Sequence, residues 1–331
     1  MNEEPIMREL TFIDATREAL AAAMAKDPTI FVVGEGIGAR GGNFNTTTGL
    51  YDLYGPERLR DTPISERGFV GMCTGAAMTG SRPIVDFMFV DFILDAMGEL
   101  INQAAKMQYM SSGRLKMPLI LRGCIGIGHS AATHHSGSYF PHFVNIPGFR
   151  VVVPSNPYDA KGLFAQALIS DDPVIFLEHK SILFHKGAVP EDTIPFGQAP
   201  VARTGRDCTV VAVEFRRPHD AASRAKLADD GVDLEVIDRA RSVRWTSTVL
   251  ASVHKTGRLL IVDETFQPCG IGAEVSAQVV DRGFDDLDAH PAAERRVRTD
   301  ALQSHAGGGR GAKCGRCRAG RPELDGGVGG D

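Results

Sequence analysis

The sequence predicts an α/β fold in two parts: a mostly parallel sheet with helices on both faces, and then a smaller α/β domain. Three observations support this prediction. Short apolar strands alternate with segments of helical periodicity through the first half of the chain. Three further apolar strands, CTVVAV, LEVID and LLIVDE, follow after position 207. The chain has 331 residues, 43% of them hydrophobic, which is enough for two domains with buried cores.

The first domain is expected to span residues 8–185. Residues 11–26 are rich in alanine and have apolar residues at helical spacing. Further helices are expected at 69–79, at 94–110 and from about Pro157. The predicted strands are residues 30–33, 83–88, 118–122, 150–153 and 174–177.

The second half of the chain divides into three expected segments. Residues 186–207 contain several prolines, glycines and charges and are predicted to be a linker. Residues 208–289 are predicted to form the second domain. From His290 the composition changes to glycine, arginine and alanine, and we expect residues 290–331 to have no packed structure.

The overall composition excludes several classes of partner. A net charge of −5 offers no basic surface for nucleic acid or for an anionic membrane. No apolar run approaches the roughly 18 to 20 residues of a membrane span. The N-terminal residues do not resemble an export signal. Six cysteines in a chain of this length do not indicate a disulfide framework, so we expect a cytoplasmic protein.

A glycine-rich loop follows the first buried strand. Gly36, Gly38 and Gly41 spell G-x-G-x-x-G, the dinucleotide-binding fingerprint. The sequence after the third glycine is typical of a turn and not of a helix start. We also identify no acidic residue about 20 positions on at the end of a second strand. We therefore favour a loop that presents Glu35, with a plain turn glutamate as the alternative.

Four segments carry a resemblance to a known family. DTPISERGFVGMCTGAAMTGSRPIVDFMFVDF, NQAAKMQYMSSG, THHSGSY and PYDAKGL occur in that order. They closely resemble the beta subunits of pyruvate, acetoin and branched-chain 2-oxo acid dehydrogenases, and the resemblance extends from about Arg8 to Ala289. It implies a transketolase-type pyrimidine-binding domain and a transketolase C-terminal domain. It also implies an alpha subunit in an α2β2 heterotetramer, with thiamine diphosphate between the two chains.

The family's diphosphate motif, a GDG with a downstream asparagine, does not occur in these 331 residues. Anchoring Mg²⁺ and diphosphate requires oxygen ligands, which we expect the alpha subunit to supply. The resemblance implies oxidative decarboxylation of a small 2-oxo acid and transfer of the acyl group to lipoyl groups of a partner acyltransferase core. An acetoin dehydrogenase subunit and a non-catalytic remnant with a damaged C-terminus are the alternatives.

Glu66 matches the family's carboxylate that bonds the pyrimidine ring nitrogen and so activates the cofactor's amino group. The residues themselves are consistent with this role. Ser65 could cap a helix at Gly68 to Met78, and Glu66 would then lie in a first turn, where the helix dipole favours a carboxylate. That placement alone is the alternative explanation for Glu66.

Two further residues match the pyrimidine pocket. Phe92 matches the aromatic residue that stacks on the pyrimidine, although a core aromatic beside Phe87 and Phe89 fits the pattern equally well. Met88 matches a position that lines the same pocket.

His135 in THHSG matches the family histidine that serves the oxo acid and the lipoyl group, and histidine suits a proton transfer near neutral pH. We prefer it to His134 because Ser136 follows it. With His129 and His142 these residues suggest a zinc site, but their spacing suits no single tetrahedral centre.

The resemblance also implies two other assignments. Glu35 matches an acidic residue that links the two active sites of the tetramer. The loop between Ala167 and Asp172 resembles a structural potassium site built mainly from backbone carbonyls.

The last segment departs from the family, whose members end with a strand, a TPxPYSP-like loop and a helix. Read one base later from His290, the codons permit an ending that contains VPTPYSP. Residues 239–247 can likewise be read as RALSPLDID in the opposite frame. We interpret both segments as frame-shifted, and Cys314 and Cys317 then form neither a zinc nor a redox site. Real divergence is the alternative.

Overall fold

The computed structural model describes residues 8–191, 193–197, 199–213, 231–238, 246–266 and 268–295. None of the helices in this part of the chain combines the length and the hydropathy needed to cross a bilayer.

The first domain contains a six-stranded sheet in which every neighbouring pair of strands is parallel. Its strands lie in the order β3-β2-β4-β5-β7-β6. A short strand, β1, pairs antiparallel with β8 beside this sheet. The strands are β1 Glu9–Thr11, β2 Ile30–Gly34, β3 Leu59–Asp61, β4 Arg82–Phe89, β5 Ile120–Ile125, β6 Arg150–Val152, β7 Val174–His179 and β8 Lys186–Ala188.

Two of the longer helices of this domain, α1 and α6, begin with a side-chain N-cap. α1 begins after Thr11, whose hydroxyl accepts the Asp14 N–H at 3.1 Å. α6 begins after Asn156, which accepts the Asp159 N–H at 2.9 Å, and a proline occupies its first turn. The helices are α1 Phe12–Lys26, α2 Leu50–Tyr54, α3 Glu66–Met78, α4 Met107–Met110, α5 Phe140–Val144 and α6 Pro157–Leu168.

Helices cover both faces of the sheet. Alternate residues of β2 belong to two apolar clusters: Ile30 and Val32 pack with residues of α1 and α6, whereas Phe31 and Val33 pack with residues of α3. Because both faces are buried, the strands are continuous apolar runs and do not alternate with polar residues.

The segment expected to be one helix over 94–110 forms three shorter elements. A 3₁₀ helix, Val90–Ala96, is followed by a π-helix, Glu99–Ala104, and then by α4. The buried residues Val90, Ile93 and Ala96 are three apart, which suits the three residues per turn of a 3₁₀ helix. The apolar spacing therefore predicted helical structure correctly but not its type.

The second domain contains a five-stranded sheet in the order β13-β12-β10-β11-β9, in which only β9 is antiparallel to its neighbour. Two helices pack with it. The elements are β9 Val201–Arg203, β10 Cys208–Ala212, β11 Leu234–Asp238, α7 Thr246–Thr256, β12 Leu259–Asp263, α8 Ile271–Gly283 and β13 Ala292–Arg295.

Two predictions need correction. The expected linker 186–207 contains β8 and β9, so it contributes a strand to a sheet in each half of the chain. The absence of packed structure expected from His290 is wrong for Ala292–Arg295, which pair with β12. The open edge of β12 offers backbone donors and acceptors, and pairing with them does not require an apolar sequence. Residues 239–245 and 296–331, with Cys314 and Cys317, lie outside the described residues.

Candidate active site

Five candidate site residues lie at the carboxyl edge of the six-stranded sheet. Glu35 follows β2, and Glu66 begins the helix after β3. Met88 is near the end of β4, Phe92 is in the 3₁₀ helix after it, and His135 is in the connection after β5. In open parallel sheets, ligands bind in the crevice beyond the carboxyl ends of the strands.

Glu66 is the first residue of α3, and only 7% of its surface is exposed. No residue in the described part of the chain donates a hydrogen bond to its carboxylate. Ser65 occupies the N-cap position as predicted, but its side chain makes no capping hydrogen bond. Its ψ of 65° departs from the extended conformation in which a serine hydroxyl reaches the first turn.

Glu35 is half-buried close to Glu66. Burial, and then the charge of Glu66, raise the pKa of Glu35 above its usual value. The charge of Glu66 therefore disfavours the ionised form of Glu35.

An aromatic cluster surrounds His135. Its ring centroid lies 4.6 Å from that of Phe89 and 5.4 Å from that of Phe92, both in edge-to-face geometry. Phe92 is 38% exposed, whereas Phe87 is buried at 5%. Phe92 is therefore not a core aromatic. The neighbouring His134 is exposed, with Nδ1 3.4 Å from the Thr133 hydroxyl.

Met88 has a left-handed backbone, with a φ of 63°. This conformation is unfavourable for a residue with a side chain, so surrounding contacts must hold it. The buried Asp86 does so, accepting the Met88 N–H at 2.9 Å and the Thr46 hydroxyl at 2.9 Å. Asn43 donates to the Met88 sulfur. The sequence did not indicate that Asp86 and Asn43 hold Met88, because these contacts join distant segments of the chain.

The glycine-rich loop contradicts one step of the sequence argument. Asp61 does end a second strand, β3, and its Oδ1 accepts the Gly38 N–H at 3.0 Å. An acidic residue is therefore present at the position expected of the fingerprint, 20 residues after Gly41, but Asp61 bonds the loop itself. No helix opens at Gly41, and the first helix after it starts at Leu50. The geometry still differs from that of a dinucleotide-binding loop.

Comparison with known proteins identifies the family. Residues 8–185 match the transketolase pyrimidine-binding domain, and residues 197–297 match the transketolase C-terminal domain. The chain is 41% identical over 295 residues to the beta subunit of an acetoin:2,6-dichlorophenolindophenol oxidoreductase from Cupriavidus necator, covering 85% of this chain and 87% of that one. It is also 41% identical over 286 residues to the pyruvate dehydrogenase E1 component subunit beta of Rickettsia felis, with the same coverage. The chain belongs to the beta-subunit family of pyruvate and acetoin dehydrogenases.

A plant relative and a solved structure agree with this assignment. The mitochondrial pyruvate dehydrogenase E1 component subunit beta-1 of Arabidopsis thaliana is 38% identical over 290 residues, covering 85% of this chain and 80% of the relative. A split-gene transketolase, solved as an inactive beta4 tetramer, aligns with a TM-score of 0.68 at 18% identity. That alignment covers 86% of this chain and 87% of the transketolase chain, and shows the shared fold.

Membership of this family implies use of thiamine diphosphate. The residues at the carboxyl edge fit the pyrimidine half of that cofactor. A buried carboxylate without a donor, Glu66, can accept a hydrogen bond from a ring nitrogen, and the exposed Phe92 offers an aromatic surface for a planar ring.

The predicted potassium loop lies away from the carboxyl edge, where the other candidate residues lie. In the described ranges, no group of three or more His, Cys, Asp or Glu side chains could hold a metal ion. The predicted potassium loop, from Ala167 to Asp172, lies between α6 and β7, at the amino edge of the sheet. Within it the Ser170 carbonyl accepts from Arg82 at 2.9 Å, and the Asp171 carbonyl accepts the Met117 N–H at 3.0 Å. Potassium binding stays a prediction.

Proposed function

We propose that this chain supplies the pyrimidine-activating half of a 2-oxo acid dehydrogenase that transfers an acyl group to lipoamide, in class EC 1.2.4. The buried Glu66 carboxylate, which lies at the same edge of the sheet as an exposed aromatic ring in contact with a histidine, is the observation that carries this proposal. We propose pyruvate or a branched-chain 2-oxo acid as the substrate and the lipoyl groups of an acyltransferase core as the acceptor.

Each residue has a separate task in this proposal. When bound, thiamine diphosphate would supply a nucleophilic carbon and a cationic ring that can accept the electron pair left when CO2 departs. Glu66 holds a proton at the pyrimidine ring nitrogen. Phe92 orients the pyrimidine ring through its exposed face. Met88, fixed by Asp86, lines the pocket. His135 moves a proton to the lipoyl sulfur during acyl transfer.

A second chain completes the site in this proposal. An alpha subunit would hold the diphosphate and Mg²⁺, because these 331 residues contain no GDG motif. Exposed apolar side chains near Glu66 support a protein partner at this edge, in an α2β2 tetramer. They are Ile64, Met72, Phe92 and Leu94, exposed at 81%, 47%, 38% and 40%.

Cofactor binding by the separate and assembled chains tests the half-site proposal. We expect calorimetry to detect tight, Mg²⁺-dependent binding of thiamine diphosphate only after co-expression with the alpha subunit. Tight binding by the isolated chain would contradict the half-site.

Steady-state assays of the assembled enzyme test the substrate. We expect kcat/KM to be highest for pyruvate or a branched-chain 2-oxo acid, with lipoamide as acceptor. Acetoin is the second candidate, because two of the 41% identical relatives are named for it. Higher kcat/KM for acetoin would replace the proposed substrate. An assembled complex without activity toward any of them would indicate a non-catalytic remnant.

We further propose that residues 239–247 and the chain end derive from frame slips, and that the domains are residues 8–185 and 208–289 joined by 186–207. Ala292–Arg295 pair with β12, and the match to the family extends to residue 297. Both findings support placing the frame slip of the chain end after residue 297 and not at His290. Resequencing the gene tests the proposal. A clean reading of the present frame would overturn it and leave the assignment of the first domain unaffected.

A further inference from the structure

The connection after β5, residues 126–138, is strained and must be held by its surroundings. We call it the His135 loop. His129, Ser130 and Ala132 have φ values of 55°, 51° and 59°. A left-handed backbone is unfavourable for a residue with a side chain. A loop with three such residues keeps its shape only if other contacts determine it.

Lys180 contacts this loop at both ends. It follows β7 directly and is fully buried. Its ammonium donates to the carbonyl of His135, while its own carbonyl lies 3.3 Å from Nε2 of His129. The same ammonium lies 5.4 Å from the centre of the Phe89 ring, which in turn contacts the His135 ring.

Asp91 contacts the loop two residues after His135. It lies in the 3₁₀ helix after β4, and its Oδ1 accepts the Gly137 N–H at 3.1 Å. Its Oδ2 is buried and has no hydrogen-bond partner in the described ranges. Burial raises the pKa of Asp91 and lowers that of Lys180, while the attraction between the two charges opposes both shifts.

We propose that Lys180 and Asp91 are positioning residues that clamp the His135 loop between two opposite charges. The cation holds the carbonyl of His135 and the anion holds the N–H two residues later. Charge-assisted hydrogen bonds are shorter and stronger than neutral ones, so the pair fixes the backbone on both sides of the histidine. The ring edge of His135 is thereby held against Phe89 and Phe92. The inference rests on the proposed role of His135.

The chemistry of the two residues supports a positioning role. A buried charge is unfavourable unless it is paired, and apolar residues of similar volume often stabilise a fold equally well. Packing alone therefore does not require a lysine at position 180. Holding the His135 carbonyl in place does require a hydrogen-bond donor at position 180, because an apolar side chain cannot donate to that carbonyl.

A double-mutant cycle in the assembled enzyme tests the clamp. Lys180→Met, His135→Ala and the double variant are compared for acyl transfer to lipoamide, with the KM for thiamine diphosphate as a second readout. We expect Lys180→Met to slow acyl transfer about 10- to 100-fold and to leave the cofactor KM within about twofold. The double variant should be no slower than His135→Ala, because Lys180 acts through His135. Lys180→Arg, which keeps the cation, should recover part of the rate.

Lys161→Met is the matched control. Lys161 is also a buried lysine of the first domain, but it pairs with Glu18 at 2.9 Å on the α1–α6 face and not with the His135 loop. We expect it to leave acyl transfer unchanged. Equal losses in Lys161→Met and Lys180→Met, or additive losses in the cycle, would overturn the clamp. If Lys180→Met does not assemble, Asp91→Ala in the same cycle decides between the two outcomes.

Hydrogen exchange of residues 126–138 separates this inference from the proposed function. We expect faster exchange at Gly137 in the Lys180 or Asp91 variant than in the Lys161 control, because an anchor has been removed. Unchanged exchange overturns the clamp whatever the activity of His135→Ala. Faster exchange together with a fully active His135→Ala supports the clamp and refutes the proposed role of His135.

Discussion

The two edges of the six-stranded sheet differ in how much backbone strain and how many buried ionisable side chains they contain. At the carboxyl edge, the end of β4 and the connections after β2 and β5 contain five of the seven left-handed non-glycine residues in the described ranges. Buried ionisable side chains, Asp86, Lys180 and Glu66, lie at the same edge. The five left-handed residues are Asn45, Met88, His129, Ser130 and Ala132.

The amino edge is built from ordinary turns closed by surface ion pairs. Arg82 lies 3.6 Å from Asp27 and 3.0 Å from Asp171, and Arg150 donates to Asp172. Their side chains are 26% to 51% exposed, so each pair contributes about 1 kcal/mol or less. Most of the left-handed non-glycine residues in the described ranges therefore lie at the carboxyl edge, whereas the amino edge has Ser112, in the connection before β5. This asymmetry indicates that the carboxyl edge is under functional constraint.

The largest effect expected at the carboxyl edge is that of Glu66→Gln. An amide cannot supply the negative charge that holds a proton at the pyrimidine nitrogen, so we expect proton exchange at the thiazolium carbon to slow about 10²- to 10⁴-fold in the assembled enzyme. The melting temperature should change little, because the two side chains have the same shape. Glu57→Gln, at an exposed turn before β3, is the control. An unchanged exchange rate would remove Glu66 from its proposed role.

The two adjacent histidines provide the next comparison. His135→Ala should slow acyl transfer to lipoamide about 10²-fold, since it removes a positioned proton donor beside Phe92. His134→Ala should have little effect, because that side chain is exposed and its ring nitrogen lies 3.4 Å from the Thr133 hydroxyl, away from the aromatic cluster around His135. Single-turnover transfer after loading with the oxo acid measures both. The opposite order of effects would assign the role to His134.

The sequence predicted the elements of the first domain better than the contacts at its carboxyl edge. Apolar runs such as β2 and β5 are predictable because both faces of a parallel sheet are buried. The resemblance assigned Glu66, Phe92 and His135 to one site. It did not predict that Lys180 would contact His135, because a buried lysine has the same sequence signal as an exposed one. The short strands β8 and β9 were also missed, since pairing at a sheet edge requires little local apolar pattern.

Assembly should depend on the carboxyl edge and not on the amino edge. Ile64→Asp places a charge on a side chain that is 81% exposed, two residues before Glu66. We expect the Kd for the alpha subunit to rise at least about 10-fold, as for a moderate interface residue. Ile169→Asp is matched, because Ile169 is 60% exposed but lies at the C-cap of α6, at the amino edge. Analytical ultracentrifugation measures the Kd of each variant for the alpha subunit. Equal effects would refute an alpha interface beside Glu66.

The smallest expected effect concerns the potassium loop at the amino edge. A carbonyl oxygen has two lone pairs, so the Ser170 carbonyl can accept its hydrogen bond from Arg82 and still contact a cation. The Asp171 carbonyl already accepts from both the Met117 N–H and Gln108 Nε2, so other carbonyls of the loop would have to supply the remaining ligands. An ion present at tenfold its Kd would stabilise the fold by about 1.4 kcal/mol. Exchanging K⁺ for Na⁺ at equal ionic strength should then lower the melting temperature by a few degrees, roughly in proportion to that free energy.

Asp172→Asn distinguishes the contribution of a bound potassium ion from that of the Arg150–Asp172 ion pair. It weakens the contact with Arg150, which is an exposed pair, and should lower the free energy of unfolding by about 1 kcal/mol or less. Because the potassium ligands proposed here are backbone carbonyls, the variant should keep the same difference in melting temperature between K⁺ and Na⁺. Equal melting temperatures of the unmodified chain in the two salts would refute the potassium site. The amino edge would then be held by hydrogen bonds and surface ion pairs.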